Sequence, residues 1–253
     1  MMYRYSPCLD IFFKDLPFSA RIQKAAALGF QTFEFWSWWD KDLGEIEAAL
    51  RSSPIQVAGF CTRMVSLVDP AKRAEYLAGL EDTLAVAKRL KPSVIISQVG
   101  NERPGVAREE QARSLVEGLK AAAALLERTG DTLVIEPLNV RVDHKGYFLS
   151  RSDEAAEILA QVGSPRVKML FDVYHQQITE GDLLRRIRQH LPLIGHFHIA
   201  DNPGRHEIGG GEIHYPNVLA AIKEAGYGGC VGLEFFPSGP DHGAALKQSA
   251  LAV

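Results

Sequence analysis

Short apolar runs alternate with amphipathic segments along the chain. Eight of these runs have the length and composition of strands, and a helical pattern follows each. The predicted strands cover residues 4–12, 31–36, 56–61, 94–98, 132–136, 167–172, 193–199 and 230–235. The fourth to sixth runs are almost continuously apolar, which is typical of strands in a parallel sheet with both faces covered. Eight alternating βα units predict an α/β protein built as a single (β/α)8 TIM barrel.

The amphipathic segments carry apolar stripes that predict helices on the outside of this barrel. Two stripes repeat at three- and four-residue steps, namely Leu77, Leu80, Leu84 and Ala87, and Leu115, Leu119, Ala122 and Leu126. Glycines that suit a left-handed C-cap follow four segments, at Gly29, Gly130, Gly163 and Gly226. No linker divides the sequence, so residues 1–253 are predicted to form one domain. A doubly wound open sheet is the alternative, but it needs fewer strands and a glycine-rich first turn.

Composition and charge narrow the class of protein. With 253 residues, 46% hydrophobic content and a net charge of −3, the chain suits one large core and offers no basic surface for nucleic acid. A small-molecule substrate is therefore expected. The exposed helix faces are also compatible with a homo-oligomer. The N-terminal segment lacks the apolar core of a signal peptide, and no run approaches the roughly 20 residues that cross a bilayer. Cys8, Cys61 and Cys230 lie outside any CxxC motif, which favours reduced thiols in a cytoplasmic protein.

Four of the predicted strands end in a side chain that can bind a metal. These residues are Glu136, Asp172, His198 and Glu234. They are separated by about one βα unit each, so they belong to strands five to eight, whose carboxyl ends form the functional face of a barrel. A single acidic residue at a strand end can also cap the next helix. Three converging carboxylates repel one another without a cation, so the set as a whole predicts a site for one divalent metal ion.

The ligand types limit the choice of metal. Three carboxylates and one imidazole suit Mg²⁺, Mn²⁺ or Co²⁺ better than an ion that prefers thiolates, and Zn²⁺ is the alternative. His196 shares a strand face with His198 but lies roughly 7 Å deeper, so His198 is assigned to the metal. His196 is expected to be a core histidine or a partner of a ligand.

Two further polar residues lie in loops next to this predicted site. His175 comes three positions after Asp172 and either hydrogen-bonds substrate or caps the following helix. Residues 200–213 form a long, polar loop of the kind that usually serves a site, and its three glycines are interpreted as turn residues because no P-loop context surrounds them. In this loop, Arg205 has the planar fork that binds a carboxylate, although a surface arginine is the alternative. His175 and Arg205 are therefore predicted to hold substrate.

Aromatic residues cluster after two of the strands. They are Trp36, Trp38 and Trp39 after the second strand, and His144, Tyr147 and Phe148 after Glu136. Each group either lines a pocket or packs a loop. No Ser-His-Asp or Cys-His arrangement stands out, which argues against nucleophilic hydrolysis.

Several segments around the predicted site carry a specific combination of residues. They are Ile135-Glu136-Pro137-Leu138-Asn139, Phe171-Asp172-Val173-Tyr174-His175, Pro203-Gly204-Arg205-His206-Glu207 with Gly211-Glu212-Ile213, and Leu233-Glu234. In this combination, the sequence resembles the hydroxypyruvate isomerase family, which belongs to the sugar isomerase/epimerase superfamily of xylose-isomerase-like barrels. The resemblance covers essentially the whole chain, including Gly29-Phe30 and Phe33-Glu34-Phe35. It is specific because ordinary epimerases lack the Pro-Gly-Arg-His-Glu run.

The resemblance implies an activity as well as a fold. It implies that one divalent metal is bound by Glu136, Asp172, His198 and Glu234, that both glutamates move protons, and that His175 and Arg205 hold substrate. The metal would polarise a carbonyl and stabilise an enediolate. The implied reaction is an aldose-ketose type isomerisation of hydroxypyruvate to tartronate semialdehyde, or of a related small sugar acid such as a 2-oxo-tetronate.

Three other functions stay open. A ketose 3-epimerase uses the same metal and glutamates and carries histidine at the position of His198, where some isomerases carry glutamine. An apurinic-site endonuclease of the same superfamily holds three zinc ions, but Cys61-Thr62 and Gln98 stand where two strand ends would supply histidines. A non-catalytic sugar-acid-binding protein would not need both glutamates.

Overall fold

The computed structural model of the protein describes residues 3–251. The predicted domain of residues 1–253 extends two residues further at each end, and those four residues lie outside the described part. The strands are β1 (Arg4–Pro7), β2 (Thr32–Phe35), β3 (Gln56–Cys61), β4 (Val94–Ser97), β5 (Leu133–Ile135), β6 (Val167–Asp172), β7 (Ile194–Ile199) and β8 (Cys230–Leu233). The helices are α1 (Phe18–Ala27), α2 (Leu43–Ser52), α3 (Arg73–Leu90), α4 (Arg108–Thr129), α5 (Ser152–Val162), α6 (Val173–Thr179), α7 (Leu183–His190), α8 (Tyr215–Glu224) and α9 (His242–Leu251).

All eight strands form one parallel sheet in the order β1-β8-β7-β6-β5-β4-β3-β2. Its two edge strands meet, because Cys8 pairs in parallel with Glu34 of β2 and the Leu9 amide donates to the Glu34 carbonyl at 2.8 Å. The sheet therefore closes on itself, and the predicted barrel is confirmed. Since every strand runs in the same direction, the carboxyl ends of all eight lie at one rim.

The first strand is shorter than the apolar run predicts. The run covers residues 4–12, but β1 ends at Pro7, and the Cys8 carbonyl accepts a hydrogen bond from the Phe12 amide at 3.3 Å within a turn. Phe12 is nevertheless fully buried, and its ring meets that of Phe235 edge-on at 5.0 Å. An apolar run predicts burial, but it does not distinguish a buried strand from a buried turn.

The helix ends and apolar stripes agree with the sequence prediction. Gly130 and Gly163 follow α4 and α5 in the left-handed conformation, with φ of 84° and 69°. Gly29 and Gly226 also have positive φ. The predicted stripe of α4 is buried along its whole length, and that of α3 is buried except for Leu77, which is partly exposed. The helices therefore pack their predicted faces against the barrel.

Two further expectations concern membranes and cysteines. None of the helices within residues 3–251 is both long and apolar enough to cross a bilayer. Cys8, Cys61 and Cys230 are all buried and carry free thiols, as their spacing predicts.

Candidate active site

The four predicted metal ligands converge at the carboxyl rim of the barrel. Glu136 follows β5 directly, Asp172 ends β6, His198 is the penultimate residue of β7, and Glu234 follows β8 directly. Each contributes one oxygen or nitrogen atom to a group whose members all lie within 4.8 Å of one another. All four residues are buried. They are called the carboxylate cluster below.

Several polar atoms of the carboxylate cluster have no hydrogen-bond partner. Glu136 Oε1, Asp172 Oδ2 and His198 Nδ1 are buried and form no hydrogen bond. Burying such an atom without a partner costs roughly 1–3 kcal/mol, so each needs a compensating interaction. Carboxylate oxygens and an imidazole nitrogen that converge in this way fit a divalent cation such as Mg²⁺, Mn²⁺ or Co²⁺. The carboxylate cluster is therefore a candidate metal site.

Charges around the cluster shift the pKa values of its members in opposite directions. Burial raises the pKa of Glu136 to about 7, against the lowering effect of His198. Burial lowers the pKa of His198, but Glu34 and Glu234 outweigh this and hold it well above its usual value. Burial would raise the pKa of Glu234, but Arg205 and His198 bring it below its usual value. The two glutamates of one cluster thus differ in proton affinity.

The ring of His198 has carboxylates on both sides. Its Nδ1 lies 3.2 Å from Glu234 Oε2 and 3.6 Å from Glu136 Oε1. Its Nε2 lies 3.1 Å from Glu34 Oε1. His196 is deeper in the barrel and outside the carboxylate cluster, with its Nε2 at 2.9 Å from Glu34 Oε2. Glu34 is thus a part of the site to which the strand pattern assigned no role.

His175 lies at the start of α6 with its side chain fully buried. The Asp172 side chain caps this helix by accepting hydrogen bonds from the amides of Tyr174 and His175, so a capping role for the His175 side chain is wrong. Its Nδ1 lies 2.7 Å from Asn139 Nδ2 and 3.4 Å from the Asn139 amide, and both of these groups can only donate. The ring proton of neutral His175 is therefore on Nε2, which forms no hydrogen bond and lies 3.5 Å from Asp172 Oδ2.

Arg205 reaches the carboxylate cluster from the loop after β7. Its Nη2 donates a hydrogen bond to Glu234 Oε2 and lies 3.6 Å from Asp172 Oδ2. Its guanidinium is 5.4 Å from the centre of the Tyr174 ring. Only 13% of the side chain is exposed, so the alternative of an ordinary surface arginine is wrong. Arg205 places a fixed positive charge beside the cluster.

A buried carboxylate shapes the loop that carries Arg205. Asp201 Oδ2 accepts hydrogen bonds from the amides of Gly209 and Gly211 at 2.9 and 2.8 Å. A Cβ atom at Gly211 would lie 2.3 Å from Asp201 Oδ1, so only glycine allows this approach. These glycines serve the geometry of the loop, in agreement with their interpretation as turn residues.

A cavity of about 730 Å³ has Glu136, Glu234, His175 and Arg205 in its wall. Trp36 also lines this cavity, and its Nε1 donates a hydrogen bond to Glu234 Oε1 at 2.6 Å. The predicted substrate-binding residues and the two glutamates of the carboxylate cluster therefore share one space. This concave polar site is the candidate active site.

The remaining aromatic candidates divide between the cavity and the packing of loops. His144 and Tyr147 line the cavity. Trp38 and Trp39 instead pack edge-on at 5.8 Å, and the Arg63 guanidinium lies over both rings. The aromatic run after β2 therefore supplies one cavity residue, Trp36, and two loop-packing residues.

Comparison with known proteins identifies the family. Residues 22–252 match the family of xylose isomerase-like TIM barrels. Hydroxypyruvate isomerase from Escherichia coli K12 is 33% identical over 93% of this chain and 94% of its own length. The chain belongs to the hydroxypyruvate isomerase family.

Two further comparisons support the family and the fold. The 2-oxo-tetronate isomerase of Cupriavidus necator is 32% identical over 93% of this chain and 94% of that protein. Among solved structures, a family 2 AP endonuclease from Brucella melitensis superposes with a TM-score of 0.93 and 29% identity, covering 98% of each chain. The predicted family and the predicted enzyme class, an isomerase, are confirmed.

Proposed function

We propose that this protein is a metal-dependent isomerase of small hydroxy acids that acts through an enediolate, with hydroxypyruvate and tartronate semialdehyde as its substrate pair. The observation that carries the proposal is the carboxylate cluster, which joins two glutamates to two further ligands beside a polar cavity. The names of the E. coli and C. necator relatives support this class of substrate. A 2-oxo-tetronate is a related substrate that fits the same chemistry.

The residues of the carboxylate cluster would hold one divalent cation. Mg²⁺, Mn²⁺ and Co²⁺ suit the donor set best, and Zn²⁺ is the alternative. When bound, such a cation polarises a substrate carbonyl and stabilises the negative charge of the enediolate. In this proposal Asp172 and His198 are mainly anchors, whereas Glu136 and Glu234 remove and return the carbon-bound proton.

The contacts of Glu234 and the cavity residues beside it suit a proton carrier next to a bound substrate. Both oxygens of Glu234 are held, one by Trp36 Nε1 and the other by Arg205 Nη2. Such contacts keep a proton carrier in one orientation before substrate arrives. Arg205 Nε and His175 Nε2 are donors without a hydrogen-bond partner, and both residues line the cavity. We assign the substrate carboxylate to Arg205 and a hydroxyl or carbonyl oxygen to His175.

A substrate panel in D₂O tests this function. With added Mn²⁺, the purified protein is expected to interconvert hydroxypyruvate and tartronate semialdehyde, or to isomerise a 2-oxo-tetronate, with deuterium entering the product from solvent. Proton NMR measures both the product and the exchange. Turnover of neutral ketoses alone would refute an acid substrate, and a complete absence of exchange would refute catalysis.

Arg205→Gln is expected to raise KM for hydroxypyruvate and to lower kcat/KM about 10- to 100-fold, because a hydrogen bond to a charged group contributes about 1.5–3 kcal/mol. Arg103→Gln is the matched control, since Arg103 lines the same cavity but pairs with Asp69 at 3.6 Å. Its kinetic constants should stay close to those of the unaltered protein. Steady-state kinetics that do not separate the two variants would contradict the assignment of Arg205.

A ketose 3-epimerase is the second candidate, because a cavity of about 730 Å³ also has room for a longer, neutral substrate. An epimerase would use the same glutamates but return the proton to the opposite face of the same carbon. An endonuclease of this superfamily needs ligands for three zinc ions. The candidate ligands within residues 3–251 form two groups that share His198, and this does not fit three separate ions.

A further inference from the structure

Glu34 is a buried carboxylate in the interior of the barrel, with 2% of the residue exposed. Its neighbours in β2, Phe33 and Phe35, stack on each other at 6.1 Å and contact Phe18 of α1. Because successive side chains of a strand point to opposite faces, Glu34 points away from the helices and into the barrel. An ionised side chain in such a place requires specific partners.

The Glu34 carboxylate meets three polar groups. Its Oε2 accepts a hydrogen bond from Ser6 Oγ at 3.1 Å and lies 2.9 Å from His196 Nε2. Its Oε1 lies 3.1 Å from His198 Nε2. One oxygen is thus anchored by Ser6 and His196, while the other is directed at the histidine of the carboxylate cluster.

Small residues on the intervening strands make this contact possible. Glu34 is on β2 and His198 on β7, and the strands between them, β1 and β8, place Ser6 and Gly232 side by side. A Cβ atom at Gly232 would lie 2.4 Å from Glu34 Oε1 and 2.5 Å from His198 Cδ2. Glycine at this position is therefore required by the contact between the two side chains.

We infer that Glu34 is a positioning residue, which holds the His198 ring so that its Nδ1 presents a lone pair to a metal ion in the carboxylate cluster. The inference rests on the proposed metal function. Both ring nitrogens of His198 face carboxylates, which only accept hydrogen bonds. A cation bound to Nδ1 on the side of Glu136 and Glu234 would leave the ring proton on Nε2, where Glu34 is placed to accept it.

Packing alone does not explain a charge at this position. Apolar residues of similar volume usually replace buried ionic groups at little cost in stability, or with a gain. A carboxylate that hydrogen-bonds the outer nitrogen of a metal-binding histidine fixes its tautomer and increases its basicity, and its loss typically costs 10–100-fold in metal affinity. Glu34 Oε1 and His198 Nε2 lie 3.1 Å apart, and both are buried without another hydrogen-bond partner, which fits this second role.

Calorimetric titration with Mn²⁺ tests the inference without relying on activity. Glu34→Gln is expected to bind Mn²⁺ about 10- to 100-fold more weakly than the unaltered protein. Its turnover should recover at high Mn²⁺, because the proton carriers remain. Glu180→Gln is the matched control, since Glu180 is also a buried carboxylate but contacts Ser152 and Arg186 and does not line the cavity. Its Mn²⁺ affinity should be unchanged.

Gly232→Ala gives a second test that keeps every charge. The added methyl group would push Glu34 and His198 apart, so Mn²⁺ affinity should also fall by about tenfold or more. Unaltered Mn²⁺ affinity in a folded Glu34→Gln protein would overturn the inference. If that variant does not fold, unaltered Mn²⁺ affinity in Gly232→Ala would overturn it instead. If the unaltered protein itself binds no Mn²⁺, the proposed metal function fails instead, which is a different outcome of the same titration.

Discussion

Glu136→Gln and Glu234→Gln are each expected to lower kcat by about 10²–10⁴-fold, because glutamine keeps the size of the side chain but cannot carry a proton. Both residues lie in the wall of the cavity and within one group of candidate ligands. The far-ultraviolet circular dichroism spectrum should not change. Solvent deuterium exchange into substrate measures the proton transfer directly, so it should fall together with kcat.

A control and a second measurement separate proton transfer from other effects. Glu207→Gln should retain activity, since the Glu207 carboxylate accepts hydrogen bonds from Ser238 and does not line the cavity. Mn²⁺ titration of each variant shows whether the metal is still bound. Near-normal turnover in either purified Glu136→Gln or Glu234→Gln would sink the proposed mechanism.

Removal of divalent metal is expected to abolish turnover and to lower thermal stability. Three buried carboxylates of the cluster repel one another without a cation, and a ligand that binds only the folded state stabilises it by about 2.7 kcal/mol at a concentration of 100 times Kd. For a chain of this length, that corresponds to an increase in Tm of about 5–10 °C. Dialysis against a chelator, followed by thermal unfolding and assay with and without added Mn²⁺, measures both effects.

The same experiment on Asp172→Asn identifies where the metal binds. This variant removes one anchor of the carboxylate cluster, so the increase in Tm with Mn²⁺ should become smaller. An equal increase in both proteins would place the metal elsewhere in the chain. Full activity after thorough removal of metal would contradict a metal-dependent reaction altogether.

Much of the fold could be predicted from periodicity. Strand bounds agree best for β3 and β6, whose predicted and observed ranges coincide. The prediction is poorest for β1, because the apolar residues beyond Pro7 are buried in a turn against Phe235. A run of apolar residues predicts that a segment is buried, but it does not predict which backbone hydrogen bonds the segment forms.

The position of the carboxylate cluster could also be predicted, because equivalent ends of parallel strands meet at one rim. The hydrogen-bond partners of the residues in and around this cluster could not be predicted. Trp36 and Glu234 are 198 residues apart, and Glu34 and His196 are 162 residues apart. A charged residue between two phenylalanines in a predicted strand, as at Glu34, is a sequence signal for a buried ion pair.

The sequence by itself determined the eight βα units, the helix caps and the set of ligands at four strand ends, because these features depend on local periodicity and on the common direction of the strands. Only the tertiary structure decided that Asp172 caps α6, that Arg205 bonds Glu234, and that Glu34 reaches His198. The physical reason is closure of the barrel. Closure leaves only β1 and β8 between β2 and β7, and whether a carboxylate can cross that interior depends on the small residues Ser6 and Gly232 on those two strands.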